Sequence, residues 1–175
     1  MAGSEPRETT NLDGYGNDAL PWSRARAAAQ AGATGPAITW FLGVIDPDGS
    51  PHAAGVGATW SEGKLYFVSG PGTRKSKDIA RQPAATLSAR LDGIDLVFEG
   101  AAERVTDRAT MDRVVQVYRD GGWPAEVAGD AFTAPFNAPS AGPPPWYLYR
   151  LDYDTVYGVS TAEPWGATRW RFDGH

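Results

Sequence analysis

The chain has no cysteine, only two histidines, and three lysines against thirteen arginines. Without cysteine there are no disulfides, thiolate metal sites or thiol nucleophiles. His52 and His175 leave little material for an imidazole-ligated metal, and His175 is the last residue, so no metal is expected. No run of about 18 apolar residues is present, so no membrane-spanning helix is expected. The opening MAGSEPRETT lacks the basic start and apolar run of a secretory signal, and a cytoplasmic location is the expectation. Positive charge is in deficit: 16 Lys+Arg against 21 Asp+Glu give a net charge of −5, which argues against electrostatic capture of nucleic acid. Two of the three lysines, Lys75 and Lys77, fall in one short stretch with Arg74.

What is present is 175 residues, enough for one domain with a real core. Residues 1–20 are polar and rich in Gly, Asp and Asn, and are read as a flexible arm; residues 21–175 are read as a single domain. A short Ala-rich helix is expected over 21–31, with Pro21 in the first turn and Gly32 as its stop. Strands are expected over 37–46, 51–60, 64–69, 84–91 and 95–106. Asp46-Pro47-Asp48-Gly49 is a strong turn between the first two. Arg74–Arg81 reads as a helix stopped before Pro83. Residues 107–118 form an amphipathic helix on Met111, Val114, Val115 and Tyr118, with Thr106 or Asp107 as N-cap. Residues 119–145 read as a long Trp- and Pro-containing connection, functional or lying on a partner. Two closing strands are expected over 146–151 and 155–160, and residues 161–175 as a tail. Short antiparallel strands with few helices point to a mainly β protein with flanking α, a small closed or partly closed barrel.

The chemistry concentrates where the third strand ends. In Val68-Ser69-Gly70-Pro71-Gly72-Thr73-Arg74-Lys75 a glycine-rich turn runs into a helix whose first turn carries two cations and hydroxyls. Backbone donors, helix dipole and Arg/Lys converge on one anion, most simply a phosphate. Cations at a helix N-terminus oppose the dipole at a cost of about 0.3–1 kcal/mol each, a conflict that a bound anion relieves. The nucleotide P-loop and dinucleotide glycine spacings are both absent. A second signal is the thin strand Ala54, Gly55, Val56, Gly57, Ala58, whose small side chains let another group lie close to the backbone or let bulky neighbours pack over it. His52 reads as a strand-start residue. Glu99 and Glu103 do not make a carboxylate pair for acid–base work.

Several stretches together resemble the pyridoxamine-phosphate-oxidase-like FMN-binding split barrels. They are Asp48-Gly49-Ser50-Pro51-His52, Trp60-x-x-Gly63-x-Leu65-Tyr66-Phe67, Thr73-Arg74-Lys75-Ser76-Lys77-Asp78-Ile79-Ala80 before Pro83, and Val97 through Asp107. The ending Ala167-Thr168-Arg169-Trp170-Arg171-Phe172 resembles an actinobacterial flavin/deazaflavin-dependent oxidoreductase branch. The resemblance implies a six-stranded antiparallel split β-barrel, a homodimer with cofactor at the interface, and hydride transfer between cofactor and a small organic substrate. It places Arg74 and Lys75 on the phosphate, Val68 and Ser69 beneath the ribityl chain, and Ala54–Ala58 along the ring, with Thr73 and Lys77 as neighbours. Asp78 departs from the usual Asn. Asp95 stands where some members carry a ring-contacting Gln, a role an ionised carboxylate cannot take as donor. Trp165, Arg169 and Arg171 are candidate counterparts of the C-terminal cofactor and substrate contacts, and packing of the tail is the competing reading. No Tyr/Arg/Ser set for a pyridoxal phosphate is evident, so vitamin B6 oxidation is not expected. FMN and the deazaflavin factor 420 both remain open, and Lys77 and Arg81, able to meet an acidic tail, favour the deazaflavin. The reading from another class is a non-catalytic flavin, deazaflavin or haem carrier or sensor.

Overall fold

The computed structural model describes residues 5–33, 38–136 and 140–173. The start of the first expected strand, residue 37, falls outside them. Eleven strands and three helices follow in the order β1 (Glu8–Asn11), α1 (Trp22–Gly32), β2 (Trp40–Ile45), β3 (Pro51–Val56), β4 (Ala58–Ser61), β5 (Lys64–Ser69), α2 (Arg74–Arg81), β6 (Ala84–Leu91), β7 (Ile94–Val105), α3 (Arg108–Asp120), β8 (Glu126–Ala128), β9 (Ala131–Thr133), β10 (Tyr147–Ser160) and β11 (Ala167–Arg171).

The barrel closes through β10. Along one edge β10 pairs with β7 over nearly its whole length, from Leu148↔Val105 to Ser160↔Ile94. Its other edge is divided: Tyr147–Leu151 pair with β5, and Thr155–Val159 pair with β11. From β7 the ladder continues antiparallel through β6 and β2 to β3, while β5 returns to β4. β3 and β4 are one strand interrupted at Gly57, so six strand paths surround the core, as expected for the split barrel. The interruption is held from outside by α3, where the Tyr118 hydroxyl donates to Gly57 O at 3.2 Å. Burial pushes the Tyr118 phenol well above its ordinary pKa, which keeps it a donor.

Two clusters of side chains explain why the strands read as they do. The barrel interior takes Trp40, Leu42, Trp60, Leu65, Phe67, Leu87, Phe98 and Leu151. A second cluster outside it joins Tyr66, Val68 and Leu148 to Met111, Val114, Val115 and Tyr118 of α3. β5 is therefore buried on both faces, which is why KLYFVS is nearly continuous in apolar residues rather than alternating. α3 starts at Asp107, whose carboxylate accepts from Thr110 N–H at 2.9 Å. α1 packs through Trp22, Ala25 and Ala29, and Arg24 ties it to three carbonyls, Gly93, Ala162 and Pro164.

Several expectations need correction. The first 20 residues are not simply a flexible arm: β1 pairs with β11, from Glu8↔Arg171 to Asn11↔Thr168. The supposed tail after residue 160 supplies β11, and its Trp170 and Phe172 are buried against Trp22, with ring centroids 5.5 and 4.8 Å apart. Both gain their order from the half of the β10 edge that β5 leaves uncovered. The long connection after α3 has structure of its own. It forms the β8–β9 hairpin, and Phe132 and Trp146 exchange backbone hydrogen bonds at 2.7 and 2.8 Å. Trp123 and Trp146 of this loop pack together at 5.4 Å, while Phe136 stands exposed. The two closing strands are one, β10, with a register irregularity between Tyr153 and Thr155.

Gly100 sits opposite that irregularity. A Cβ there would come within 2.1 Å of Asp152 O and 2.6 Å of Tyr153 Cα, both backbone atoms that cannot swing away. Gly100→Ala is expected to destabilise the fold by about 1–3 kcal/mol, the range for overpacking a rigid site. Urea denaturation with an unshifted midpoint would show that β10 bends more easily than its hydrogen bonding implies.

Candidate functional site

β5 ends at Ser69, and the turn Gly70-Pro71-Gly72 leads into α2. Thr73 is the N-cap, its hydroxyl accepting from Ser76 N–H at 3.3 Å. That bond satisfies one donor of the first turn and leaves the Arg74 and Lys75 N–H groups without an intrahelical acceptor. Ser69, Thr73 and Ser76 form a hydroxyl cluster: Ser69 Oγ lies 2.7 Å from Thr73 Oγ1, and Ser76 Oγ donates to Ser69 Oγ at 2.8 Å. Tyr149 of β10 also hydrogen-bonds Ser76. The chain from Ser140 onward closes one side, where Gly70 N–H donates to Ala141 O at 2.7 Å. A Cβ on Gly70 would meet that same carbonyl at 2.6 Å, so the turn requires glycine.

The two cations differ. Lys75 is buried, with 7 % exposure, and its ammonium donates to Ser140 O. No carboxylate pairs with it among the described residues, and burial alone pushes its pKa down from the ordinary lysine value. A buried cation with one carbonyl for a partner is under-compensated, and a bound anion would correct that. Arg74 is mostly exposed, yet its Nε and one Nη grip Asp46 at the end of β2, with Nε at 2.9 Å from Oδ1. The guanidinium holds the Asp46 carboxyl below its usual range. The second Nη of Arg74 makes no protein hydrogen bond among the described residues. Lys77 is exposed and three residues along from Arg74, on its side of the helix.

The thin strand lies beside this cradle. The β4–β5 ladder stops at Ala58↔Phe67, so Gly57 and Val56 flank Val68 and Ser69 as the two strands part. Beyond the break, Ala54 and Gly55 belong to β3, which ends the sheet and has no strand on its outer edge among the described residues. Val68, Ser69, Thr73, Arg74, Lys75 and the Ala54–Ala58 strand are thus brought together. The C-terminal candidates are not. Arg169 and Arg171 are paired with Tyr157 and Thr155 of β10, whereas Ser69 is paired with Tyr147. Ten and eight residues of strand separate these positions from Tyr147, roughly 33 and 26 Å at about 3.3 Å per residue. Both arginines meet Glu8 of β1, at 3.3 and 3.8 Å. Trp165 is half-exposed and lines a separate cleft of about 770 Å³ with residues 16–21. Asp95 is gripped by Arg90 through two 2.9 Å bonds. His52 is half-buried opposite Val44. No set of three His, Cys, Asp or Glu among the described residues can hold a metal, and no helix among them is long and apolar enough to cross a membrane.

Sequence reasoning missed Asp46, Ser76 and Tyr149. Asp46 was legible only as the start of a turn, because its ion pair depends on a helix 28 residues further on.

The sequence profile described as pyridoxamine 5′-phosphate oxidase matches residues 36–160. This chain belongs to the pyridoxamine 5′-phosphate oxidase family. No curated protein sequence matches it. Among solved structures it is similar to a pyridoxamine 5′-phosphate oxidase-related, FMN-binding protein from Nostoc punctiforme, at 19 % identity and a TM-score of 0.54, covering 86 % of this chain and 90 % of that one. It is also similar to an F420 reductase, at 17 % identity and a TM-score of 0.52, covering 75 % and 94 %. A haem-binding protein from Mycobacterium smegmatis matches at 13 % identity and a TM-score of 0.50, covering 80 % of this chain and 57 % of that one. At these identities the likeness establishes the split-barrel fold.

Two outcomes test the cradle. Lys75→Met should weaken binding of a phosphate-bearing flavin by about 1.5–3 kcal/mol, the worth of a charge-assisted hydrogen bond, as read by fluorescence titration. The pH dependence has a defined sign. Only the charged ammonium attracts the anion, and its pKa in the free protein lies below the ordinary 10.5. Affinity should therefore be full below that lowered pKa and fall as pH rises through it. Lys75→Arg should abolish the fall, and titration of the ligand itself is common to both proteins. Parallel profiles would remove Lys75 from the site. Arg169→Ala should leave flavin affinity unchanged and reduce hydrogen-exchange protection over residues 8–11.

Proposed function

We propose that this protein is a flavin- or deazaflavin-dependent oxidoreductase that holds its cofactor by a phosphate at the start of α2. The observation that carries the reading is Lys75, a buried ammonium at a helix N-terminus with a carbonyl as its protein partner. The residues fit the group. Lys75, the free Nη of Arg74 and the exposed first-turn N–H groups would take the phosphate, with Ser69 and Thr73 supplying hydroxyls. The open edge of β3 and the small residues Ala54–Ala58 give a planar ring access to the backbone. When bound, the cofactor supplies hydride transfer. The protein's own residues then need only bind, orient and exclude water, which suits a site with no nucleophile–base pair.

Between the two cofactors, Lys77 and Arg81 beside the cradle favour the deazaflavin. The substrate is a small organic acceptor rather than a pyridoxal phosphate. Because Arg169, Arg171 and Trp165 lie far from the cradle of their own chain, any contact they make with the cofactor would come from a second copy, consistent with a homodimer. Sedimentation would test that assembly: a monomer at micromolar concentration confines the site to one chain. For the activity, the purified protein is expected to show a flavin or deazaflavin absorbance band, with mass spectrometry of the released molecule giving its identity. With reduced cofactor it should turn over a generic enone or quinone. Cofactor binding without turnover of either acceptor would make the protein a carrier or sensor.

A further inference from the structure

The ion pairing around α2 is uneven, and this asymmetry bears on which phosphate the cradle accepts. Arg74 is clasped by Asp46 through two hydrogen bonds. Arg81, two turns further along the same helix face, lies 3.7 Å from Asp78. Asp46 and Asp78 are themselves buried. Each arginine of α2 thus has a carboxylate partner held by burial, whereas Lys75 has none among the described residues. One buried positive charge remains to be matched. A phosphomonoester such as that of FMN carries −1.5 to −2 near neutral pH, and its second charge would be drawn toward Arg74, where the Asp46 carboxylate already stands. A phosphodiester carries a single charge.

We propose that Asp46 is a specificity-determining residue that matches the cradle to a singly charged phosphodiester over a doubly charged phosphomonoester. This rests on the cofactor reading above and deepens it. Asp46 repels any anion beside Arg74, and the repulsion scales with the charge of the ligand, so a dianion loses about the square of the factor a monoanion loses and the discrimination between them is about that factor. The free Nη of Arg74 still serves a diester oxygen, since Asp46 occupies the other edge of the guanidinium.

The test compares two flavins with the same ring: FMN, and riboflavin 4′,5′-cyclic phosphate, whose phosphate is a diester. Affinities are measured by fluorescence titration at pH 8 and low salt, for the full-length protein and for Asp46→Asn and Asp46→Glu. The wild-type protein is expected to bind the diester at least as tightly as FMN. Asp46→Asn should shift the ratio of the two affinities toward FMN by at least fivefold. Asp46→Glu, which keeps the charge, should leave the ratio within twofold of wild type. Reading the change in ratio cancels differences in ribityl shape, and a residue that merely supported the fold would weaken both ligands together. A ratio unmoved by Asp46→Asn, or a wild-type preference for FMN of tenfold or more, overturns the proposal while leaving the cofactor site intact. The wild-type preference alone decides the matter where Asp46→Asn does not fold. Failure of both flavins to bind any of the proteins overturns this inference, while the deazaflavin form of the cofactor reading is decided separately by the mass of the molecule the purified protein releases.

Discussion

The architecture depends on one strand having two different neighbours along one edge. β10 gives its first five residues to β5 and a later stretch to β11, while β7 runs along its other side. The β5 pairing closes the barrel. The β11 pairing extends the sheet outward and recruits β1. Without the shared strand, the barrel would lose its seam and the chain ends would lose their template. The seam also fixes where β5 stops, and the anion cradle begins at that stop. Position in the fold and chemistry are coupled here through backbone hydrogen bonds rather than through side-chain design.

The cradle shows how burial differentiates residues that look equivalent in sequence. Arg74 and Lys75 are adjacent, both basic, both in the first turn of α2. One lies at the surface and is neutralised by a carboxylate from β2. The other is enclosed under Ser140 with its charge poorly matched. The second arrangement costs folding free energy in the absence of an anion. A site of this kind is preorganised: the protein holds the cation in place before the ligand arrives, so little reorganisation accompanies binding.

Much of this was readable from the residues. The bounds of α2, β5 and β6 were marked by local punctuation, Gly70-Pro71-Gly72 before the helix and Pro83 after it, because those residues act on their own backbone. The N-cap of α3 was legible for the same reason. What was not legible depended on distant partners. Asp152, Tyr153 and Asp154 look like a turn between two strands, yet β7 carries the ladder through them with only an irregularity. Residues 8–11 look like a polar arm, and become a strand because β11 offers them an edge. Asp46 looks like the opening of a turn, and is one: Gly49 N–H donates to its carbonyl at 2.9 Å while its side chain reaches α2. Its second task belongs to the fold rather than to its neighbours in sequence.

The pairing of β1 with β11 brings the two ends of the chain side by side. Arg7 N–H donates to Arg171 O at 2.8 Å, and the Arg7 guanidinium stands 3.6 Å from the Asp173 carboxylate. The fold is thus nearly a circle in sequence as well as in its sheet. A short peptide link between the ends would span this gap, and the exposed turn at Pro47–Gly49 would supply new termini without cutting a strand. In such a permuted chain β3 would be the first strand and β2 the last. The hairpin beside the cradle would become two ends of the polypeptide, with Asp46 held to α2 only by its ion pair and the β2 ladder. The molecule can therefore be reopened at the end that carries the candidate site while its sheet stays whole.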